Sequence, residues 1–540
     1  MNFVKNWRIM VVQNLQLPET IDQLYVRAHG ADITLQNKKM SVNARGKAAF
    51  TTYYNSFALK KWKKYTVVGQ ISLALTAKGC FETTLVGFQI RRGLKGALEG
   101  GFVEKILAKQ TFSLREPGEC EIVYPDCDCD LLAFTIRAFE DSEVYDGAYR
   151  SVVDEDLPDI NLALAICTYK RERYINTNIA LLNETIFSNS RSILNGHVRV
   201  YIADNGRTLK KEEIESEPIK LFSNINSGGS GGFSRCMIEA LADKDTYNLT
   251  HIVLMDDDIF FTYDALARTY LFLRLLKKEH ADIVISGAML LMDKPHIQHA
   301  SGEIIKPSGV VQHKRGYDLA EIRSIVLNEI EMPVNYCGWW YCCFQLDDAL
   351  SGNLALPLFF QYDDTEWGLR NKRLEKVVVS GVCVRHESFA ARRAGWRDYY
   401  SMRNRLIVAT LHRDSAFRGC GRLYFQAMVF IKIFYRIAFF RFNDAELMMM
   451  AVEDYCRGIE WLGATDSAAL LRDVQQYAAK EAGKNPLESL LAGVTLTARL
   501  LKLLWVFGVK FKRTAADYVK NYRRFITEDF WRGHLGLTEK

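Results

Sequence analysis

Three adjacent carboxylates, Asp256, Asp257 and Asp258, follow directly after the apolar segment 251–255 (HIVLM). Adjacent carboxylates repel one another, so a fold keeps three of them at a strand end mainly where a cation neutralises them. Side chains alternate along extended backbone, so Asp256 and Asp258 can share one divalent ion while Asp257 points elsewhere. Such an ion would hold the diphosphate of a nucleotide donor and stabilise its leaving group. A solvated acidic turn is the alternative interpretation.

Two earlier apolar runs also end in polar residues. The segment 167–172 (CTYKRE) places Thr168 and Arg171 after one predicted strand, and 201–207 (YIADNGR) places Asp204 and Asn205 after the next. In a sheet of parallel strands, ligands bind beyond the carboxyl ends. The three strand ends therefore predict one polar rim that binds a nucleotide.

A glycine-rich segment, 224–235 (NINSGGSGGFSR), follows the second of these strand ends. Glycines let the backbone approach a ligand closely and present its N–H groups, and Arg235 adds a positive charge. The segment matches neither the P-loop nor the Rossmann dinucleotide fingerprint, which argues against ATP or NAD chemistry. We take Asn226, Gly229 and Arg235 as candidate substrate-binding residues, with a flexible surface loop as the alternative.

Further downstream, the sequence CGWWYCCF contains Trp339 and Trp340, whose rings suit the apolar faces of a sugar but are also common in protein cores. The sequence VVVSGVCVRHESF ends an apolar run at His386, which is a candidate third metal ligand if the chain folds back. A structural histidine is the alternative.

A second carboxylate cluster lies in the sequence QYDDTEW, which contains Asp363, Asp364 and Glu366. One of these side chains could deprotonate the hydroxyl group of an acceptor. Inversion at an anomeric carbon needs one such base opposite the leaving group and no covalent nucleophile. The cluster and the acidic triplet together therefore fit the residue requirements of inverting glycosyl transfer.

The elements that must position these residues differ along the chain. Short apolar or alternating runs over residues 1–150 predict a sandwich-like β domain, and the acidic segment 151–160 suits a linker. Apolar strands then alternate with helical segments, near 172–188, up to 242 and near 263–279, which predicts a mainly parallel sheet in an α/β domain over 158–400. Residues 401–540 are rich in helix formers and predict a helical region. The fold class is multidomain α/β.

Composition bears on three further properties of the protein, namely nucleic-acid binding, cellular location and contact with a membrane. The chain has 540 residues and a net charge of +6, from 70 basic and 64 acidic residues, which is too balanced to indicate nucleic-acid binding. Twelve cysteines without a zinc or redox spacing, and an N-terminus without signal-peptide features, favour a cytoplasmic location. The apolar segments 424–442 and 490–511 are interrupted by basic residues. They predict either helices lying on an anionic membrane surface or helices packed on the protein itself.

These motifs occur in the order seen in glycosyltransferase family 2 enzymes of GT-A fold, and the chain more narrowly resembles the bacterial cell-wall galactofuranosyltransferases. The segment 50–66 (FTTYYNSFALKKWKKYT) also resembles the β-sandwich domain of that subfamily. The resemblance implies a central GT-A (Rossmann-like) domain, UDP-galactofuranose as donor, and a lipid-linked glycan as acceptor. It also implies Mn²⁺ or Mg²⁺ as cofactor and peripheral attachment to the inner face of a bacterial cell membrane. The resemblance does not decide whether the protein forms a homo-oligomer.

Carried over position by position, the resemblance makes His386 a metal ligand beside Asp256 and Asp258, and Asp364 the catalytic base. It places Asp363 and the two tryptophans on the acceptor side. The alternatives are a GT-A transferase for another nucleotide sugar (rhamnose, galactose or glucose), a nucleotidyltransferase or metal-dependent phosphohydrolase, and a non-catalytic carbohydrate-binding protein. Pocket shape, which sequence does not give, decides the sugar.

Overall fold

The computed structural model describes residues 8–19, 22–28, 33–36, 39–93, 98–153, 156–349, 352–387, 395–479 and 486–537. Over these ranges the protein is mixed α/β, with three sheets followed by a C-terminal helical region. All twelve cysteines are free thiols.

The N-terminal strands form one antiparallel sheet of nine strands. Its elements are β1 (Arg8–Asn14), β2 (Arg27–Ala28), β3 (Ile33–Gln36), β4 (Lys39–Val42), β5 (Lys47–Ala49), the short helix α1 (Leu59–Tyr65), β6 (Ile71–Arg92), β7 (Leu98–Val123), β8 (Leu131–Ala138) and β9 (Ser142–Val153). Strand β6 alternates buried and less buried residues, as a sheet with one covered face requires. It pairs with β7 along one edge and with β8 and β9 along the other. The strands are confirmed, and their packing as a sandwich stays a prediction.

A second nine-stranded sheet follows. Its strands are β10 (Leu162–Thr168), β11 (Val198–Asp204), β12 (Ile219–Ser223), β13 (His251–Asp256), β14 (Ile259–Phe261), β15 (Val284–Leu291), β16 (Gln298–Ala300), β19 (Cys342–Gln345) and β20 (Lys376–His386), in the order β12-β11-β10-β13-β19-β15-β20-β14 with β16 on β15. The first four in this order are parallel and almost wholly apolar, because both faces are covered. Strand β19 is antiparallel to both of its neighbours, so the sheet is mixed beyond β13.

Helices connect the strands of this sheet. They are α2 (Glu172–Leu182), α3 (Lys211–Ile214), α4 (Gly228–Ala242), α5 (Lys244–Tyr247), α6 (Tyr263–Arg274), α7 (Ile322–Leu327) and α8 (Asp363–Arg370). A separate hairpin contains β17 (Glu303–Lys306) and β18 (Gly309–Gln312). The helices predicted near 172–188, up to 242 and near 263–279 are present, and one π-helical turn extends α2 to Phe187.

The predicted helical region is confirmed. It contains α9 (Trp396–Leu411), α10 (Arg422–Ala438), α11 (Phe442–Tyr455), α12 (Ile459–Ala464), α13 (Ser467–Ala478), α14 (Pro486–Asn521) and α15 (Glu528–His534). Trp531 of α15 is buried against the glycine-rich start of α4, and its Nε1 donates to the carbonyl of Ala355 at 2.8 Å. The helical region therefore packs directly on α4 of the central part.

The three parts of the chain contact one another through buried polar groups. Gln16 Nε2 donates to Asp264 Oδ1 at 3.0 Å, and the guanidinium of Arg268 in α6 donates to the carbonyl of Tyr54. The N-terminal sheet is thus fixed to α6 of the central part. The domain boundaries at 150, 158 and 400 stay predictions.

Candidate active site

The predicted polar rim begins with strands that end in register. Parallel pairing places Thr168 opposite Asp204, and Cys167 opposite Asp256. The carboxyl ends of β10, β11 and β13 therefore meet at one edge, as the sequence predicted. Apart from the partly buried Arg199 near the start of β11, the three strands are mainly apolar and buried before they reach these polar ends.

The acidic triplet and His386 meet because β14 folds back onto β20. Ile259, one residue after the triplet, pairs with His386 at the end of β20. Among the described residues, Asp256, Asp258 and His386 form a group whose ligand atoms all lie within 4.8 Å of one another. His386 Nε2 lies 3.2 Å from Asp258 Oδ1. The proximity predicted for these three residues is thus present.

Two carboxylates and one imidazole are a suitable donor set for a divalent cation. The Nδ1 of His386 lies 2.6 Å from the carbonyl oxygen of Glu387, which can only accept a hydrogen bond. Nδ1 therefore carries the proton, and in the neutral ring the lone pair of Nε2 faces Asp258. Burial, followed by the neighbouring charge of Asp258, raises the pKa of Asp256 to about 7. A cation between the two carboxylates would relieve this repulsion.

Asp257 is not part of the three-ligand group. It accepts hydrogen bonds from Thr168 Oγ1 at 2.7 Å and from Arg171 at 2.6 Å. The same Arg171 nitrogen lies 2.8 Å from Asp258 Oδ2. Burial raises the pKa of Asp257 although Arg171 opposes the effect. Thr168 and Arg171 therefore hold the acidic turn, and their binding of substrate stays a prediction.

The side chains of Asp204 and Asn205 form hydrogen bonds to nearby backbone groups. Asp204 accepts hydrogen bonds from the backbone N–H groups of Gly206, Thr208 and Leu209 at 2.7–2.9 Å. Asn205 donates from Nδ2 to the carbonyl of Gly228 at 2.9 Å. Both side chains are nearly completely buried. Their contacts fix the rim, and a role in binding the base or ribose stays a prediction.

The glycine-rich segment forms the first turn of α4. A Cβ on Gly228 would lie 1.9 Å from the carbonyl oxygen of Phe359, and one on Gly232 would lie 2.0 Å from Cys167 Sγ. A Cβ on Gly229 would lie 3.0 Å from an oxygen of Asp363. The glycines thus allow α4 to pack closely on β10 and on the start of α8.

Two other candidates in this segment already have partners. Asn226 Oδ1 accepts from the N–H of Gly228 at 3.3 Å. Arg235 donates to Glu239 at 2.7 Å, and its guanidinium lies over the ring of Phe222. Their binding of substrate stays a prediction.

Asp363 and Asp364 begin α8 after a strained segment. Phe359, Gln361 and Tyr362 all have positive φ values, between 64° and 70°, which non-glycine residues rarely adopt. Ser230 Oγ in the first turn of α4 donates to Asp363 Oδ2 at 3.3 Å. Two helix N-termini therefore converge on Asp363, where their dipoles favour negative charge.

Asp364 is partly exposed and carries a strongly perturbed carboxyl group. Burial, then the neighbouring Asp363, raise the pKa of Asp364 to about 8, and Asp256 adds to the effect. Its Oδ1 accepts from the N–H and Oγ1 of Thr365 at 2.6 and 3.0 Å. Over the described residues, these bonds leave Oδ2 as the oxygen without a hydrogen-bond donor. Asp364 therefore lies within electrostatic reach of the triplet with one oxygen open to a ligand.

The remaining candidates lie in different surroundings. Trp339 is 4% exposed and packs edge-on against Phe233. Within the described parts of the chain, its Nε1 is buried without a hydrogen-bond partner, which suits a donor directed at a ligand. Trp340 is partly exposed and donates to the carbonyl of Gly287 at 2.9 Å. The acceptor-side role of both rings stays a prediction.

Glu366 is completely buried on another side of α8. Its carboxylate lies 3.0 Å from Arg370 and 3.4 Å from His412 of the helical region. These partners lower the pKa of Glu366 against the opposing effect of its burial. The contacts indicate that Glu366 joins α8 to the end of α9, and a role for Glu366 in substrate binding stays a prediction that no contact supports.

Sequence reasoning missed Glu303 of β17. This carboxyl group is 1% exposed, and among the described residues its Oε2 is buried without a hydrogen-bond partner. Burial, followed by the charge of Asp364, holds the pKa of Glu303 well above its usual range. A neutral carboxyl group beside Asp364 can donate a hydrogen bond. The surrounding sequence, SGEIIKPSG, contains no signal for this position.

Sequence reasoning also missed Asn404 of α9. Its Nδ2 lies 2.8–3.0 Å from the carbonyl oxygens of Leu358, Phe360 and Gln361. Asn404 therefore holds the strained segment that presents Asp364. A single asparagine within a helical pattern carries no such signal.

Comparison with known proteins adds a functional class. The chain is 26% identical over 466 residues to galactofuranosyltransferase GlfT2 of Mycolicibacterium smegmatis, a match that covers 80% of this chain and 67% of that protein. It is 24% identical over 477 residues to galactofuranosyltransferase GlfT2 of Mycobacterium tuberculosis, covering 82% of this chain and 70% of that protein. The chain is an enzyme, a galactofuranosyltransferase-like glycosyltransferase. It therefore takes a glycosyl donor and an acceptor.

The other comparisons are less informative. No protein-family model matches the sequence. Among solved structures, the CBM22-1-GH10 modules of xylanase 10B from Clostridium thermocellum align with a TM-score of 0.19 and 12% identity, covering 36% of this chain and 38% of that chain. A TM-score this low carries no argument about the fold.

Proposed function

We propose that the protein transfers galactofuranose from UDP-galactofuranose onto a lipid-linked cell-wall or surface glycan, with inversion at the anomeric carbon. The donor and product class are supported by the names of the two similar proteins. The observation that carries the proposal is the proximity of a three-ligand group, Asp256, Asp258 and His386, to the perturbed carboxyl group of Asp364. A central GT-A fold accords with the parallel half of the second sheet.

The donor side of the site would lie at the acidic triplet. The oxygen and nitrogen donors of Asp256, Asp258 and His386 suit Mn²⁺ or Mg²⁺. Such an ion, when bound, would neutralise the diphosphate and stabilise the departing UDP. Arg171 contacts Asp257 and Asp258 at once and so keeps the ligand-bearing turn in place.

The acceptor side would lie at Asp364. Its Oδ2 would accept the proton of the attacking hydroxyl group, while Thr365 fixes the carboxyl group through Oδ1. A pKa raised towards neutrality makes this carboxylate a stronger base than an ordinary aspartate. Trp339, with its buried N–H group, and Asp363 would orient the acceptor sugar. No covalent enzyme intermediate is needed for this route.

The protein would reach its lipid-linked acceptor from the cytoplasmic face of the membrane. Residues 489–526 are long and apolar enough to cross a membrane by length and composition, with 22% of the most apolar window buried. In α14, Leu500, Phe507 and Phe511 face the core, whereas Trp505 and Val509 are 70% and 65% exposed. This two-sided pattern, with basic residues between, supports a helix lying on the membrane surface.

Release of UDP from a panel of UDP- and dTDP-sugars tests the proposal, with an alkyl or lipid-linked galactofuranoside as acceptor. We expect turnover with UDP-galactofuranose that is lost on chelation and recovered with Mn²⁺ or Mg²⁺. Turnover only with another nucleotide sugar would contradict the donor but keep the mechanism. Turnover that persists in EDTA would contradict the metal site.

A further inference from the structure

A cavity of about 510 Å³ is lined by none of the candidate active-site residues. It is bounded by α1, by residues 330–335, by the segment after α8, by the first residues of β20, and by Ser415 and Ala416 after α9. Lys376 at the start of β20 lines the cavity, whereas His386 at the end of the same strand belongs to the acidic group. On the neighbouring strand β15, the partners of Lys376 and His386 are Val284 and Leu291, which lie seven residues apart, a span of roughly 23 Å.

The lining of this cavity is strongly basic. Five lysines and two glutamates face it, namely Lys61, Lys64, Lys314, Lys372, Lys376, Glu331 and Glu375. Its volume lies within the range of small-molecule sites, about 300–1,000 Å³. An excess of positive charge in such a cavity favours an anionic ligand.

Three of the lysines are already neutralised. Lys61, which is buried, lies 3.1 Å from Glu329. Lys64 lies 2.7 Å from Glu331 and 3.9 Å from Glu375. Lys64 therefore pairs with both carboxylates that line the cavity, Glu331 and Glu375.

The third, Lys372, is exposed and lies 3.0 Å from Asp414. Two lysines remain. Over the described residues, neither Lys314 nor Lys376 forms an ion pair. The ammonium of Lys376 donates to the carbonyls of Asn371 and Leu374 at 2.6 and 2.8 Å, and that of Lys314 donates to the carbonyl of Asn328.

Uncompensated, partly buried ammonium groups are costly unless an anion joins them. Burial, followed by the charge of Lys61, lowers the pKa of Lys314 to about 7, and burial also lowers the pKa of Lys376. Lys314 also has a positive φ of 55°, a strained conformation for a lysine. Strain and desolvation thus coincide at Lys314, and the nearby charges of Glu329 and Glu331 do not offset its burial.

We propose that this cavity is a second ligand site, which binds the phosphate or diphosphate group of a small molecule through Lys314 and Lys376. Each ammonium still has donor capacity beyond its carbonyl contacts, and phosphate oxygens accept charge-assisted hydrogen bonds. The buried Ser301 adds a hydroxyl group to the lining. The site does not depend on the proposed transferase activity, because it shares none of the candidate active-site residues.

Titration of the full-length protein with inorganic pyrophosphate tests the proposal. The titration is run calorimetrically in EDTA, so that no divalent ion brings pyrophosphate to the acidic triplet. We expect saturable binding that is retained in Asp258→Asn and in the control Lys210→Met, an exposed lysine paired with Glu213. The double variant Lys314→Met/Lys376→Met should bind at least about tenfold more weakly. Equal affinity in the double variant, or no binding to the wild-type protein, would overturn the proposal.

A second measurement uses the wild-type protein, so it does not depend on the folding of a variant. Lysine acylation is followed by mass spectrometry with and without pyrophosphate, and with phosphatidylcholine vesicles that contain or lack phosphatidic acid. Pyrophosphate should protect Lys314 and Lys376 but not Lys210. Protection by phosphatidic acid vesicles alone would assign the site to a lipid phosphate and overturn the small-molecule ligand. Unchanged acylation in every sample would overturn the site itself.

Discussion

Replacement of Asn404 by leucine should separate the positioning of Asp364, the proposed catalytic base, from donor binding. Asn404 is completely buried, and its amide lies within hydrogen-bonding distance of three carbonyl oxygens, those of Leu358, Phe360 and Gln361. Leu358 keeps a donor, because Arg403 Nη2 lies 2.9 Å from the same oxygen. In the variant, the carbonyl groups of Phe360 and Gln361 therefore lose the Asn404 amide as a hydrogen-bond donor.

The magnitude follows from those two groups and from the strain beside them. A buried carbonyl without a donor costs about 1–3 kcal/mol; Phe360 is partly buried and Gln361 is exposed, so holding the native segment costs about 1–3 kcal/mol more in the variant. Residues held at rare φ/ψ values cost about 1–3 kcal/mol each, and Phe359, Gln361 and Tyr362 are three of them. The segment should relax rather than bear both costs. A displacement of Asp364 by about 1 Å would lower kcat by about a hundredfold.

The assay compares kcat for galactofuranosyl transfer with the calorimetric affinity for UDP and Mn²⁺. The matched control is Asn55→Leu, because Asn55 is also completely buried and donates to two carbonyls, those of Gln16 and Tyr25, in the N-terminal region. We expect Asn404→Leu to lose kcat and keep UDP affinity, and Asn55→Leu to lose stability while the folded protein keeps kcat. A kcat for folded Asn404→Leu within about threefold of wild type would refute the reasoning.

Four further predictions concern the metal, the base, the helical contact and the membrane. Asp258→Asn removes one charged ligand and should weaken Mn²⁺ binding by calorimetry; unchanged affinity would contradict the ligand set. The raised pKa of Asp364 requires activity to rise with pH, since the base must lose its proton. The rising limb of kcat/KM should lie between the ordinary value of 3.8 and about 8, because a bound cation lowers the pKa from the latter. A limb that persists in Asp364→Asn would contradict this assignment. Glu366→Ala leaves the buried guanidinium of Arg370 without its carboxylate and should lower the free energy of unfolding by about 3–5 kcal/mol in denaturant titrations; a change below about 1 kcal/mol would contradict the buried pairing. Trp505→Glu places a charge on the exposed face of α14 and should reduce co-sedimentation with anionic vesicles while transfer to a soluble acceptor is kept; undiminished binding would remove α14 from the membrane contact.

The strand ends were predictable because parallel strands with two buried faces read as uninterrupted apolar runs. The runs before Thr168, Asp204 and Asp256 are of this kind, and their alignment follows from the way such strands pair. The approach of His386 was predicted only as an option, since it depends on β14 pairing with β20. That pairing joins segments more than a hundred residues apart. Local periodicity contains no information about it.

Several details of the site could not be read from the sequence because they depend on tertiary contacts. The glycines of α4 suggested a ligand-binding loop, whereas Gly232 is required by its close approach to Cys167. Glu366 looked like a member of an acidic cluster, but helical geometry turns it towards Arg370 and His412. The antiparallel direction of strand β19 could not be predicted either, because it depends on tertiary pairing. Its short apolar sequence suits either direction.

In the proposed mechanism, a divalent ion held by Asp256, Asp258 and His386 acts together with the base Asp364. The most direct measurement is the rate of UDP-galactofuranose transfer by wild type and Asp364→Asn, each with and without EDTA, together with the affinity of both proteins for UDP and Mn²⁺. The account predicts that chelation abolishes wild-type transfer, and that Asp364→Asn is inactive while it binds UDP and Mn²⁺ as wild type does. Transfer by Asp364→Asn at a rate near that of wild type would contradict it.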